Sequence, residues 1–382
     1  MIESTRESAP APDATARWAD AALRGEALSE PDARRVLGDG SIALIDLVQA
    51  AGRVRRHHCG DTVSVHVLDN VQSGACPEDC AYCGQSRVSE APIQPWKLKP
   101  AEQIVAAAKQ AHDQGAWRFC MAMSGRGPSD ADIDHMCDVV RQVSALGLRT
   151  CLSSGLMDAA KIERLKQAGL DRLNHNLNTS RRHYPAICTT HTYDQRVATL
   201  REAKDAGLGV CAGMIVGMGE TQADIIAVAR ELREIKAESI PVNFLLPIEG
   251  NPITEAKCDG RPLTPRFVLR VLCLFRLLNP AAEIRVAAGR EHHLRSLQPL
   301  ALWPANSLFV EGYLLTTGSN AEATLRMILD AGFTPRLEEG DWPPALRALA
   351  EGDAADNSTD PRNLVPLRPN VQRRREATRP RA

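Results

Sequence analysis

No charge of one sign dominates this sequence: 46 Lys and Arg stand against 47 Asp and Glu in 382 residues. That balance excludes a general field drawing the molecule onto nucleic acid or an anionic membrane surface. Long apolar runs are missing as well. The strongest, Phe267 to Leu278, is interrupted by Arg270 and Arg276, which reads as a buried amphipathic helix and not as a membrane span. The opening MIESTRESAPAPDATA has acids and prolines but no apolar core segment, so it does not read as a signal peptide, and a soluble cytoplasmic chain with small-molecule chemistry is the expectation. Aromatic residues make up 4% of the chain, and none is interleaved in the basic end RPNVQRRREATRPRA. A platform for base stacking is therefore missing there, and residues 341–382 read as a disordered tail, contact with an acidic partner being the alternative.

Cysteine, by contrast, is plentiful. Eleven cysteines in a chain read as cytoplasmic are poorly explained by disulfides, because a reducing compartment keeps thiols free. Metal ligation or redox chemistry becomes the question.

The length suits two or three domains, or one α/β barrel. Residues 1–27, rich in Ala, Pro and charge, read as a flexible extension. Residues 28–62 read as N-terminal helices, with apolar residues at helical spacing over Asp32–Val36 and Ile42–Val54. From Val63 to about residue 340, short apolar or β-branched runs alternate with helical stretches, the pattern of repeated βα units. The expected strands are Val63–Val71, Arg118–Ser124, Arg149–Ser154, Arg172–Asn178, Gly209–Gly217, Ile240–Leu246, Glu283–Ala288 and Leu308–Gly312. The expected helices between and after them are Ala101–Gln114, Asp130–Leu146, Ala159–Ala168, Thr192–Ala206, Thr221–Ile235, Thr264–Leu278, Glu291–Leu297 and Ala321–Ala331. Glycines follow several helices where a left-handed cap is wanted. The fold class is α/β, a (β/α)8 TIM-type barrel with an N-terminal helical extension and flexible tails; an open doubly wound sheet gives the same local pattern.

The densest chemical signal is Cys76-Pro-Glu-Asp-Cys80-Ala-Tyr-Cys83, spaced C-x3-C-x2-C in the loop after the first expected strand. Loops at the carboxyl ends of barrel strands are where active sites form on that fold. Three thiolates in one loop can hold three irons of a [4Fe–4S] cubane, which leaves the fourth iron without a protein ligand from the motif. The alternative is a structural zinc site, which normally wants paired spacings and four ligands; His57, His58 and Cys59 are the nearby candidates to complete one.

With an aromatic residue before its last cysteine, the motif resembles the radical S-adenosylmethionine superfamily. The resemblance implies that Cys76, Cys80 and Cys83 hold the cubane, that S-adenosylmethionine chelates the fourth iron, and that reduction yields a 5′-deoxyadenosyl radical. Tyr82 would lie against the adenine, packing being the plainer reading. The flanking words narrow the resemblance to biotin synthases: Ser73 to Ser86, Arg118-Phe-Cys-Met121, Asn174-His-Asn-Leu-Asn-Thr-Ser180, Gly213 to Thr221, Ala287-Ala-Gly-Arg-Glu291 and Leu314-Leu-Thr-Thr317 follow in the same order, over about residues 30 to 335.

That family implies a second cluster, [2Fe–2S], on Cys120, Cys151, Cys211 and Arg285. Without the resemblance, each of these cysteines reads as a small buried hydrophobe. An arginine buried in a barrel needs a partner, and an anionic cluster offers one. The implied reaction is insertion of sulfur into dethiobiotin. Asn174, Asn176 and Asn178 alternate along the fourth strand and so face one side; the resemblance puts Asn174, Asn176 and Asn243 against dethiobiotin, Asn176 and Asn178 with Tyr82 against the adenosyl group, Arg196 on the methionyl carboxylate, and Thr316 and Thr317 on the substrate carboxylate. Arg118 would support the cluster region or form a structural ion pair. The chain departs from the family pattern at Asn178, where some members have an acid, at Met123–Pro128 and at Gly84. Cys59, Cys137, Cys188, Cys258 and Cys273 have no implied role and read as core or incidental thiols. A homodimer and a flavodoxin or ferredoxin reductant are further implications, with no nucleic acid and no membrane as partner. A hydrogenase-maturation or methylornithine-type enzyme on the same barrel is the nearest rival, against which Cys120, Cys151, Cys211 and Arg285 argue; a noncatalytic metal-binding module is the rival of another class.

Overall fold

Hydrogen bonds run between eight parallel strand positions in one closed ring. In chain order the strands are β1 (Thr62–Gln72), β2 (Arg118–Met123), β3 (Arg149–Ser153), β4 (Arg172–Asn174), β5 (Gly209–Cys211), β6 (Met214–Val216), β7 (Ser239–Phe244), β8 (Lys257–Cys258), β9 (Arg261–Pro262), β10 (Glu283–Val286), β11 (Ser307–Phe309) and β12 (Thr334–Arg336). β5 and β6 are two pieces of the fifth position, both paired with β7. β10 pairs with β7 on one side and β11 on the other, and β11 pairs with β1, which closes the barrel. The open-sheet alternative is thereby excluded. The computed structural model describes residues 14–310, 314 and 321–336. Thr316, Thr317, residues 1–13 and the expected tail over 341–382 lie outside the described residues.

The helices are α1 (Ala14–Leu23), α2 (Glu30–Gly38), α3 (Leu44–Cys59), α4 (Ala101–Asp113), α5 (Asp130–Ser144), α6 (Ala159–Gln167), α7 (Tyr193–Asp205), α8 (Gln222–Ile235), α9 (Pro265–Leu278), α10 (Arg290–Leu294) and α11 (Ala321–Asp330). Side-chain caps set several starts: Ser129 opens α5 and Thr192 opens α7, each accepting a bond from the third residue of its helix while that residue's side chain returns one. The glycines expected to end helices do so, Gly147 at φ 85° and Gly169 at φ 97° among them.

Three differences from the sequence expectations have physical causes. The extension over 1–27 is helical from Ala14, because Trp18, Ala19 and Ala22 are buried on one face of α1, which packs against α3 and α9. The fourth strand ends at Asn174 and not Asn178: Asn178 turns to φ 67° and makes a lone bridge to Met214. The fifth position breaks at Ala212 and Gly213, where a Cβ on Gly213 would sit 1.8 Å from the Pro241 carbonyl oxygen. The short antiparallel ribbon β8–β9 and the pairing of β12 with β1 were not expected; segments of two or three residues carry too little periodicity to be seen.

Helix α9 shows how the barrel seals its amino-terminal side. Every residue from Val268 to Leu278 is buried, including both arginines that interrupt its apolar run. Arg270 donates to the carbonyls of Val36 at 2.8 Å and Ile42 at 2.6 Å, tying the N-terminal helices to the barrel. Arg276 is fully buried and donates to the carbonyls of Pro304, Pro280 and Ala282, each at 2.8 Å, and to Asn306 Oδ1 at 2.7 Å. Carbonyls stranded at loop ends are costly to bury, and this one fork satisfies three of them. Arg276→Ala is expected to cost about 3–5 kcal/mol and to lower the melting temperature by roughly 10 °C, with Arg276→Lys recovering little because an ammonium lacks the fork; thermal denaturation followed by circular dichroism checks both.

Candidate active site

The loop after β1 carries Cys76, Cys80 and Cys83 to the carboxyl end of the barrel, and a segment from across the barrel clasps it. Ala81 N–H donates to the Ile187 carbonyl at 2.9 Å, and Cys83 N–H donates to Cys80 O at 3.1 Å. Asp79 accepts from the backbone N–H groups of Thr189 at 2.9 Å and Thr190 at 3.2 Å, and from the Thr189 hydroxyl. Glu78 accepts from Thr190 Oγ1 at 2.7 Å and from His191 Nδ1, with Arg126 Nη1 at 3.3 Å. The loop is thus held at both of its acidic residues.

His57, His58 and Cys59 end α3, at the opposite end of β1. The eleven residues of β1 span about 35 Å at ~3.3 Å each, so none of the three completes a site with the cysteine loop. Sequence reasoning did miss a different neighbour. Cys188 Sγ lies 3.7 Å from Cys80 Sγ and 3.3 Å from His191 Nδ1, and the donor atoms of Cys80, Cys188 and His191 lie within 4.8 Å of one another. Cys188 is held near a pKa of about 4, first by its bond with Cys80 and then by His191 and Thr190, against the opposing effect of burial, and the same bond pushes the Cys80 thiol up. Arg196 Nη2 donates to His191 Nε2 at 2.7 Å, which leaves His191 Nδ1–H to donate to Glu78. His191 therefore serves as a bridge between the loop and Arg196. The sequence places Cys188 and His191 within four residues of each other, which says nothing of what lies opposite them.

Inside the ring, Cys120 and Cys151 stand in register on adjacent strands, and Cys211 stands in register with Asn174. All eleven cysteines are free, and these three are buried together with Phe309 and Ala287. The hydrogen bond between Cys120 and Cys151 lowers the first thiol and raises the second to about 12, while Cys211 is held well above the usual thiol range by its bond to Cys151 and by burial. Arg285 Nη1 lies 3.7 Å from Cys211 Sγ, and its Nε has no hydrogen-bond partner among the described residues. Three soft sulfur donors, a buried guanidinium and an orphaned N–H form a set that suits an anionic iron–sulfur group.

One cavity of about 270 Å³ joins the two cysteine sets, lined by Cys76, Cys80 and Cys83 at one end and Cys120, Cys151 and Arg285 at the other. Cys211 stands just behind this lining, its Sγ accepting from Asn174 Nδ2 at 3.2 Å. Between the two sets the wall is formed by Tyr82, Asn174, Asn176, Asn178, Arg196 and Asn243. Asn178 Nδ2 donates to the Tyr82 hydroxyl at 2.6 Å, and Asn176 Oδ1 accepts from Gly213 N–H at 3.0 Å, filling the break in the fifth strand. Asn243 is committed at both ends, donating to Met214 O at 3.1 Å and accepting from Ala288 N–H at 3.2 Å. Arg196 also donates to the Asn176 carbonyl at 2.8 Å. Arg118 is not in the cavity: it donates to Thr150 O at 2.9 Å and pairs with Asp171, the structural ion pair of the two readings. Cys137, Cys258 and Cys273 are buried in the main core, as their assignment to packing required.

Residues 71–232 match the family described as the Radical SAM superfamily, and residues 241–334 match the Biotin and Thiamin Synthesis associated domain. The biotin synthase of Acaryochloris marina (strain MBIC 11017) is 52% identical over 309 residues, which are 81% of this chain and 88% of that protein. That of Magnetococcus marinus is 50% identical over 323 residues, 84% of this chain and 99% of that protein. The chain belongs to the biotin synthase family. Solved structures of methylornithine synthase (TM-score 0.71, 22% identity, 88% of this chain and 99% of that one) and of the FeFe-hydrogenase maturase from Carboxydothermus hydrogenoformans (TM-score 0.71, 16% identity, 85% and 79%) share the barrel, and at such identities they speak for the fold alone. The radical S-adenosylmethionine superfamily implies a [4Fe–4S] cluster and S-adenosylmethionine. Among the described residues no helix is long and apolar enough to cross a membrane.

Because the two cysteine sets sit on different elements, iron held by one set should load independently of the other. Anaerobic reconstitution of Cys151→Ala is expected to retain the iron and sulfide of the cubane and to lose those of the second centre, and Cys80→Ala the reverse; iron and acid-labile sulfide analysis with visible spectroscopy checks it.

Proposed function

We propose that this chain makes biotin by inserting sulfur into dethiobiotin, with S-adenosylmethionine bound at a [4Fe–4S] cluster on Cys76, Cys80 and Cys83 and sulfide drawn from a [2Fe–2S] cluster on Cys120, Cys151, Cys211 and Arg285. The observation that carries the proposal is the single cavity with a thiol set at each end and an amide-lined waist between them. A substrate held at that waist lies between a hydrogen-abstracting centre and a sulfur source, which is what closing a sulfur ring on unactivated carbons demands. When bound, the cubane would supply the electron that cleaves S-adenosylmethionine, and the second cluster the sulfur atom.

The chain's own residues do the binding and the orienting. Arg196, fixed by Tyr184, His191 and the Asn176 carbonyl, would present its guanidinium to the methionyl carboxylate, the planar match for which arginine is suited. Tyr82 and Asn178, bonded to each other, would form the adenosyl side, and an amide at position 178 serves a ribose hydroxyl as donor or acceptor where an acid only accepts. Asn174 and Asn176 would face the ureido ring, and Thr316 and Thr317 the substrate carboxylate. Met121, Met123, Leu245 and Leu246 line the remaining wall and keep water from the reacting carbons. A cytoplasmic homodimer reduced by a flavodoxin or ferredoxin completes the proposal.

Protein reconstituted without oxygen and given S-adenosylmethionine, a low-potential reductant and dethiobiotin is expected to release biotin and 5′-deoxyadenosine, both measured by mass spectrometry. Cys80→Ala should release neither, and Cys151→Ala should release deoxyadenosine with biotin largely lost. Deoxyadenosine without biotin from the unaltered protein would point to another substrate and overturn the reading.

A further inference from the structure

Behind the inner cysteines lies a buried charge cluster that the cysteine motif does not account for. Glu283, at the start of β10, is 8% exposed. Its Oε2 accepts from Arg172 Nη1 at 2.7 Å, and its Oε1 accepts from Arg285 Nη2 at 2.5 Å, from Ser239 Oγ at 3.1 Å and from His66 Nε2 at 3.1 Å. A carboxylate so placed is stable only because cations and donors surround it on every side. His66 contributes as a neutral ring: burial, with Arg285 beside it, lowers it to about 3.

The consequence falls on Arg285. Its Nη2 is held by Glu283 and by Ser239 Oγ at 2.9 Å, His66 acts on it through the bond that its ring makes to Glu283, and the Phe309 ring lies under the guanidinium at 4.9 Å. One edge is therefore locked and one face covered. What is left is Nη1, aimed at Cys211 Sγ, and the unpartnered Nε. The charges also leave a remainder: Arg172 and Arg285 bring two positive charges and Glu283 one negative, so the ensemble keeps one positive charge, facing three thiols.

We infer that Glu283, with Ser239 and His66, positions Arg285 so that Nη1 meets the group held by Cys120, Cys151 and Cys211, and that the fixed charge of Glu283 sets how readily that group accepts an electron. The inference rests on the reading of a second cluster given above. A carboxylate close to a redox centre disfavours its reduced form, and a neutral amide of the same shape removes that penalty.

The test compares unaltered protein, Glu283→Gln and Ser239→Ala after anaerobic reconstitution, reading the midpoint potential of the second cluster by redox titration, the paramagnetic resonance of its reduced form, and iron and sulfide content. Glu283→Gln is expected to retain the second cluster with a more positive midpoint potential. Ser239→Ala, which keeps every charge and removes one Nη2 partner, is expected to change the resonance line shape while melting near the unaltered protein. Unchanged potential and spectrum in both variants, each loaded with both clusters, would overturn the inference. So would a Glu283→Gln that fails to fold beside a Ser239→Ala indistinguishable from the unaltered protein, since Glu283 would then support only the fold. Absence of a second cluster from the unaltered protein would instead overturn the reading beneath it.

Discussion

The ring closes through β10, whose four residues bond to β7 on one side and, in part, to β11 on the other. Closure makes one interior out of eight strands and brings side chains separated by up to about half the sequence around a common axis. Cys120, Cys151, Cys211 and Arg285 converge only because of it; on an open sheet of the same order, β10 and β5 would lie at far ends, and Arg285 would not meet Cys211. The same closure buries Glu283 and Arg285, and the barrel can do so only because Arg172, His66 and Ser239 complete their hydrogen bonds.

Above that interior, the cysteine loop depends on a second set of long-range contacts. Asp79 and Glu78 reach residues 189–191, and His191 passes the connection on to Arg196. The residues that would hold a cluster and the residue that would hold the cosubstrate's carboxylate are thus mechanically one unit. Displacing either end would disturb the other through the imidazole between them.

Much of the fold was legible because its signals are local. Alternation of short apolar runs with helical periodicity located every barrel strand, and the glycines after the helices marked their ends. The loop cysteines stood out by their spacing, but Cys120, Cys151 and Cys211 were singled out by family words alone, since a buried cysteine in a strand looks like any small apolar residue. What stayed hidden was whatever depends on a distant partner. Trp18 gives α1 its packing only in the presence of α3, Asn178 leaves the strand because Met214 stands opposite a broken fifth position, and Glu283 reads as a surface acid until Arg172 and Arg285 are seen beside it. Cys188 was assigned to packing, and nothing local to it announces Cys80.

The amides at the waist of the cavity have an uneven capacity. Asn243 has both its donor and its acceptor engaged by backbone, Asn176 has given its oxygen to Gly213, and Asn174 directs its nitrogen at Cys211. Judged by composition this wall is hydrophilic, yet part of it is already committed, and what remains for a guest is chiefly Asn174 Oδ1, Asn178 Oδ1 and Asn176 Nδ2. Such a surface selects less by how many polar groups a guest carries than by whether its donors and acceptors match those few fixed atoms.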